Sequence, residues 1–330
     1  MARNFTVCRP SRDIERGLPP DTKLIFVVGA PRSGTTWLQL LVSASPSVAT
    51  AVESHLFQSY LSSLFAGWRY YRDSRAPVGL HHLMEEDEYV ALIRDLASKL
   101  MARILATKPG ATILVEKSPY HVFHWREILA VFPQAQFIHI IRDPRGAVAS
   151  MRAAGHSFGA KWAPRRISQA CSLWADCVRA GREIAGATPN YLEVRYKDLK
   201  NDGAATLHSV YVWCGLHISA AEAASILRDH QIDHLRSAAA PKLAATYATQ
   251  LPGFFRRGEA EGWRSDLTRR EIRLVEHLTG EMMTDLGYLP SERTRTRWRT
   301  VSIMPALGAE WFRSGMAWRL RYYADALRRV

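Results

Sequence analysis

The sequence predicts one α/β domain, a single P-loop-like unit whose central parallel sheet is flanked by helices. Three observations predict it. A short β-branched apolar run at residues 24–28 and a second largely apolar run at 137–141 read as parallel strands buried on both faces, with 191–194 as another strand. Amphipathic helical patterns alternate with them, as in a sheet built from strand–helix–strand units. The first run passes through a glycine-bearing loop straight into a helix, the order of a phosphate-binding unit.

The elements follow in chain order. Strand 24–28 ends at Gly29, and residues 31–36 turn. Trp37, Leu38, Leu40, Leu41 and Val42 then take helical spacing until Pro46 stops it. Residues 90–107 form a long amphipathic helix through Leu92, Leu96, Leu100 and Ile104. A strand over 112–116 is followed by a helix over 125–132 that Pro133 closes. Strand 137–141 gives way to Arg142-Asp-Pro and a helix through Met151. Further helices are expected over 167–184, 204–215 and 269–286, with strand 191–194 among them. Stretches 60–88 and 237–267 lack clear periodicity and are expected to be irregular, substrate-facing loops. The chain thus divides into an N-terminal extension (1–23), one domain (24–290) and a basic C-terminal tail (291–330).

Composition narrows the function. The chain has 330 residues, 47% of them hydrophobic and 10% aromatic, enough for a sizeable core. No run approaches the roughly 18 apolar residues of a membrane span, and the N-terminus lacks the apolar stretch of a signal peptide. Cys8, Cys171, Cys177 and Cys214 show neither CxxC nor zinc spacing, so structural thiols in a reducing, cytoplasmic setting are expected, with no metal. The net charge of +13 suits a polyanion of some kind. Nucleic acid is not expected, since no zinc finger or aromatic RNA-binding segment is present.

Residues 30–37, Ala-Pro-Arg-Ser-Gly-Thr-Thr-Trp, occupy the strand-to-helix turn. Free N–H groups and the helix dipole favour an anion there. Gly34 permits close approach, Ser33, Thr35 and Thr36 add hydroxyls, and Arg32 adds a planar cation. The lysine of a nucleotide-kinase loop is missing, because Thr35 follows Gly34. About 110 residues later, Arg142 leaves a strand end and Ser150 lies eight positions on, a pair able to clasp a phosphate dianion. An Arg142–Asp143 ion pair is the plainer reading of that segment.

These motifs resemble those of the PAPS-dependent sulfotransferase family, in its carbohydrate, tyrosylprotein and bacterial branches. Residues 31–37 resemble the family's 5′-phosphosulfate loop, and Arg142 with Ser150 its 3′-phosphate motif. The segment from Val194 to Leu199 resembles a strand-end motif whose tyrosine contacts adenine, which implies that role for Tyr196. The segment Phe254-Phe-Arg-Arg-Gly258 is similar to a loop that closes over the 3′-phosphate, implying Arg256, Arg257 and Gly258. There Glu261 and Gly262 depart from the family's glycine and aspartate. The resemblance implies 3′-phosphoadenosine 5′-phosphosulfate (PAPS) as donor, no metal, and a small-molecule, sugar or lipid acceptor.

Sulfuryl transfer is akin to phosphoryl transfer and needs a base for the acceptor proton and cations for the equatorial and bridging oxygens. The resemblance implies Glu53 as base, with Lys117 and Arg32 as cations. Histidine is the rival base: His121 follows Glu116-Lys-Ser-Pro-Tyr, and His55 lies beside Glu53. A small-molecule kinase and a non-catalytic nucleotide-binding protein are the alternative functions.

The tail holds nine arginines and two acids from residue 293 on. Trp311, Phe312, Met316, Leu320, Tyr323 and Leu327 recur at helical spacing. Two readings stay open: a helix packed on the domain or in a homodimer interface, or peripheral contact with an anionic membrane.

Overall fold

The computed structural model describes residues 17–75, 77–236, 240–250, 253–256 and 258–291, with side chains omitted at 248–250. Arg257, Cys8, most of the N-terminal extension and the tail from 292 lie outside the described residues, and with them the two readings of the tail. Five strands form the sheet: β1 (Lys23–Val28), β2 (Val48–Thr50), β3 (Ile113–Lys117), β4 (Gln136–Ile141) and β5 (Tyr191–Arg195). All pairings are parallel, in the order β2-β3-β1-β4-β5. The helices are α1 (Thr35–Ser43), α2 (Ser62–Asp73), α3 (Glu86–Leu105), α4 (Trp125–Val131), α5 (Pro144–Gly155), α6 (Ile167–Ala187) and α7 (Tyr196–Asn201). After them come α8 (Gly203–Trp213), α9 (Ala220–Asp229), α10 (Ile232–Leu235), α11 (Lys242–Gln250), α12 (Trp263–Asp266) and α13 (Arg269–Asp285).

The period-two alternation of β1 builds a core on each face of the sheet. Phe26 and Val28 point to one side, where α6 contributes Trp174, Cys177 and Val178. Ile25 and Val27 point to the other, where α1 contributes Leu38, Leu41 and Val42. Close approach of sheet and helix shapes the sequence at Gly181 of α6, where a Cβ would come within 2.1 Å of the His139 ring on β4. Cys171, Cys177 and Cys214 are free and buried, and burial raises each thiol pKa.

The topology sets the place of the site. After β1 the chain crosses towards β2 at one edge, and after β4 it crosses to β5 at the other. Between β1 and β4 the strand ends therefore splay in opposite directions, leaving the crevice where open α/β sheets bind ligands. The loops carrying Arg32 and Arg142 leave these two strands.

The sequence reading needs three corrections. The stretch 60–88 is largely helical: a π-helical turn over Leu56–Leu61 runs into α2, followed by a 3₁₀ turn over Leu80–His82 and the start of α3. In α2 only Phe65 and Trp68 are buried, so its apolar stripe is too thin to read by period. The stretch 237–267 contains α11 and α12. Strand β2, unforeseen, is three residues long and owes its place to pairing with β3. Among the described residues no helix is long and apolar enough to cross a membrane.

Candidate active site

Helix α1 begins at Thr35 with no side-chain cap and no acid in its first turn, so its leading N–H groups and dipole face the crevice uncompensated. Gly34 precedes it at φ +100°, where a Cβ would sit 2.6 Å from Cδ2 of Tyr196. Only glycine fits both the backbone and the ring. Arg32 also adopts a left-handed conformation, at φ +68°. Strain at a non-glycine residue is tolerated where its surroundings over-determine it, and the surroundings of Arg32 do. Its Nε donates to Ser150 Oγ at 3.2 Å, another nitrogen donates to the Phe254 carbonyl, and its guanidinium lies 4.8 Å from the Phe254 ring centre.

Arg142 comes to the same place from β4. It donates to the carbonyls of Arg32 (3.2 Å) and Glu259 (2.8 Å) and lies 4.5 Å from the Tyr196 ring centre. The plainer pairing with Asp143 does not form. Asp143 caps α5 by accepting from the Arg145 N–H, and Arg145 bridges Asp143 and Glu276 at 2.7 Å each. The Tyr196 hydroxyl donates to the Gly258 carbonyl at 2.6 Å, and Arg256 pairs with Asp266. Burial first, then the nearby Arg142 and Arg256, bring the Arg32 guanidinium down to about 10. Thr35, Thr36 and Trp37 line this narrow cavity of about 80 Å³ along with Arg32, Arg142 and Tyr196. Ser33 Oγ and Arg142 Nε are buried without a hydrogen-bond partner. Unmet donors beside crowded guanidiniums suit a phosphate-bearing anion.

A second cavity, of about 690 Å³, shares Arg32, Thr35, Thr36 and Phe254 with the first. Glu53 and His55 line it. Lys117, the last residue of β3, is buried and bonds both Glu53 Oε1 and the Tyr247 hydroxyl, the latter at 3.3 Å. Burial opposes its charge, but Glu53 and Tyr247 outweigh burial and raise its pKa, so the ammonium persists. The Tyr247 hydroxyl also accepts from the Glu53 N–H at 3.2 Å, and His55 Nε2 lies 3.4 Å from Glu53 Oε2. Tyr247 escaped the sequence reading, as did the cavity role of Phe158; neither carries a motif.

His121 is not brought into either cavity. Its ring is wholly buried against Phe26 and Phe57. The Phe57 N–H donates to Nε2 at 3.2 Å, which leaves the proton on Nδ1, 2.8 Å from Glu116 Oε2. Glu116 in turn accepts at 2.7 Å from the hydroxyls of both Ser54 and Ser118. Burial works against its charge, yet His121 and the two serines prevail and hold its carboxyl at about 2. Alternation along β3 explains the division: Lys117 points to Glu53 and Tyr247, while Glu116 anchors the loop that presents Glu53.

A model of the sulfotransferase family matches residues 25–220, a stretch running from β1 past β5. Protein-tyrosine sulfotransferase 1 of Danio rerio is 31% identical over 133 residues, which are 40% of this chain and 36% of that protein. The omega-hydroxy-beta-dihydromenaquinone-9 sulfotransferase Stf3 of Mycobacterium tuberculosis is 27% identical over 249 residues, covering 58% of this chain and 62% of that one. The chain thus spans between about a third and two thirds of the length of these relatives. In fold, mouse sulfotransferase SULT7A1 complexed with PAP (3′-phosphoadenosine 5′-phosphate) superimposes with a TM-score of 0.50 at 16% identity, over 86% of this chain and 90% of that one. With more than half of its length matched by the family model, and with that family's fold, the chain belongs to the sulfotransferase family.

Proposed function

We propose that the chain transfers a sulfuryl group from PAPS to a hydroxyl, or an amine, of a sugar, lipid or natural-product acceptor, and that residues 24–290 carry this activity. The observation that carries the reading is the position of Arg32. It stands where the guanidinium-lined cavity meets the cavity lined by Glu53, whose carboxylate Lys117 bonds from below, with a hand in both. A donor with phosphates in the first cavity would point its reactive end at the second.

PAPS, when bound, supplies the sulfuryl group and leaves as the 3′,5′-bisphosphate. On this reading the N–H groups at the start of α1, with Ser33, Gly34, Thr35 and Thr36, receive the 5′-phosphosulfate. Arg142, Ser150, Arg256 and Gly258 receive the 3′-phosphate, along with Arg257, assigned from sequence alone. Tyr196 and Trp37, whose rings lie 5.5 Å apart, face the adenine. Several of these donors are engaged with loop carbonyls, Arg32 with Phe254 and Arg142 with Glu259, so binding exchanges those bonds for stronger, charge-assisted ones. Glu53 takes the acceptor proton as general base. Lys117 and Arg32 neutralise charge that gathers on the transferring group and bridging oxygen. Burial of both nitrogens of His121 argues for Glu53 as the base.

Transfer of labelled sulfate from PAPS, run against transfer of labelled phosphate from ATP, tests the reading. Sulfate transfer alone is expected. Phosphate transfer would favour the kinase alternative, and nucleotide binding with neither transfer a non-catalytic protein. A cytoplasmic location belongs to the same proposal, supported by the three buried free thiols. So does peripheral membrane contact through residues 293–330, which co-sedimentation with anionic vesicles, with and without that segment, would decide; a homodimer is the alternative use of the tail.

A further inference from the structure

The Glu53 cavity has walls that speak to the acceptor. At about 690 Å³ it falls in the size range of sites for drug-sized molecules. Four aromatic rings form a continuous ladder along it. Tyr247 stacks on Phe254 at 4.8 Å and 19°, Phe254 meets Phe158 at 5.7 Å, and Phe158 meets Trp162 at 6.1 Å. The ladder starts at the Lys117 ammonium, 5.1 Å from the Tyr247 ring centre, and ends at Trp162, which is 38% exposed. It therefore runs from the reacting groups to solvent.

Charge on this wall is scarce. Among the described residues, Arg32, Glu53 and His55 are its lining residues of charged type. Arg32 is turned to Ser150 and the Phe254 carbonyl, while Glu53 is turned to Lys117 and His55. An acidic acceptor would meet Glu53 with no further cation to receive it. Of the polar lining groups, Gln58 engages His55 through its carbonyl oxygen at 3.2 Å, Thr246 bonds the Lys242 carbonyl at 3.0 Å, and Thr35 and Thr36 belong to the donor on the reading above, which leaves Ser59 and the Gln58 amide to meet acceptor hydroxyls. A sugar carries hydroxyls around its whole rim, and each one buried against a ring without a partner costs affinity.

Resting on the sulfotransferase reading above, we infer that the acceptor is an uncharged, largely apolar alcohol or phenol. Its body lies along the Tyr247–Phe254–Phe158–Trp162 wall and its hydroxyl reaches Glu53. Apolar and aromatic surface removed from water supplies the affinity.

Calorimetric titration of the full chain, loaded with the 3′,5′-bisphosphate, separates acceptor binding from chemistry. The probes are a long-chain primary alcohol, a polycyclic alcohol, glucose and a short acidic tyrosyl peptide. One or both apolar alcohols should bind at least tenfold more tightly than glucose or the peptide, the first two probes distinguishing chain from ring. Trp162→Ala and Phe158→Leu should each weaken that binding by about 5- to 30-fold; Trp162 is half-exposed, so its variant is expected to fold. Preference for glucose or the peptide, or apolar binding indifferent to both substitutions, overturns the inference. Bisphosphate affinity and sulfate transfer, measured separately on the unaltered chain, report on the donor. Tight acceptor binding at the wall without donor binding would sink the sulfotransferase reading instead.

Discussion

The Nε of Arg32 donates to the Oγ of Ser150 at 3.2 Å across 118 residues of chain. This bond ties the loop after β1 to the second turn of α5 and holds Arg32 beside Arg142 and Arg256. Three guanidiniums in one crevice repel one another, and the lowered pKa of Arg32 records it, after burial, as one cause. An anion with two separated phosphate groups relieves that repulsion, which is why the arrangement suits a bisphosphate nucleotide better than a monophosphate.

Arg142→Ala should therefore weaken binding of 3′-phosphoadenosine 5′-phosphate by about 10- to 100-fold, the range for a charge-assisted bond. Ser150→Ala should weaken it by less, roughly 3- to 10-fold. Adenosine 5′-monophosphate should bind poorly to the unaltered chain and respond little to either change. Calorimetry on the two nucleotides decides; equal affinity for both would remove the 3′-phosphate from this corner.

Glu53→Gln should lower turnover by roughly 10²–10⁴, the effect of losing a general base, while nucleotide binding persists. His121→Ala should act differently. It removes the Nδ1–H that faces Glu116 Oε2 and leaves that buried oxygen unmet while the serines keep Oε1, a loss of about 1–3 kcal/mol of stability. Turnover per folded molecule and thermal unfolding, measured on both variants, separate the two effects. A histidine variant that folds normally but has lost turnover would reverse the assignment.

Tyr247→Phe should reduce turnover by about tenfold or more and leave the acceptor KM nearly unchanged. The ring and its stacking stay, but the hydroxyl that accepts from Lys117 and from the Glu53 N–H is gone. A residue that merely packed would leave both turnover and KM nearly unchanged, because the phenylalanine preserves packing.

The residues of the Arg32 crevice were readable because most are local patterns at a strand end. Gly34, Arg32 and Arg142 sit where a strand run meets a helix start, Ser150 lies in the second turn of α5, and the parallel sheet aligns those ends. Tyr247 was not readable in this way. Its helix α11 has the pattern Lys-Leu-Ala-Ala-Thr-Tyr-Ala-Thr-Gln, in which Ala244 and Tyr247 are buried among the side chains described, too weak a stripe to distinguish from a loop. For His121, its place after Glu116-Lys-Ser-Pro-Tyr said nothing of where its ring goes, and the 3₁₀ turn at Pro119–Phe123 sends the ring to the Glu116 side of the strand. Sequence spacing gives no direction across such a turn.

Acid should unfold this protein early, and two histidines set the range. His139 on β4 is buried with Nδ1 2.8 Å from the Tyr191 hydroxyl and Nε2 without a partner. Burial, then Arg195 and Arg182, lower its pKa from 6.5 to about 3. Burial, then His121, lower that of His124 to about 4. The sign follows from proton counts. Between pH 6.5 and about 4 the unfolded chain protonates both imidazoles and the native chain neither. The unfolded state then binds more protons, so stability falls as pH drops through this window, by about 1.4 kcal/mol per pH unit for each histidine once well below 6.5. His139→Asn removes one of the two contributions. Denaturant unfolding at pH 7, 6 and 5 should give a shallower loss for the variant than for the unaltered chain, whatever its stability at pH 7. Parallel losses in the two proteins would mean that His139 takes up its proton in the folded state despite the burial of its ring.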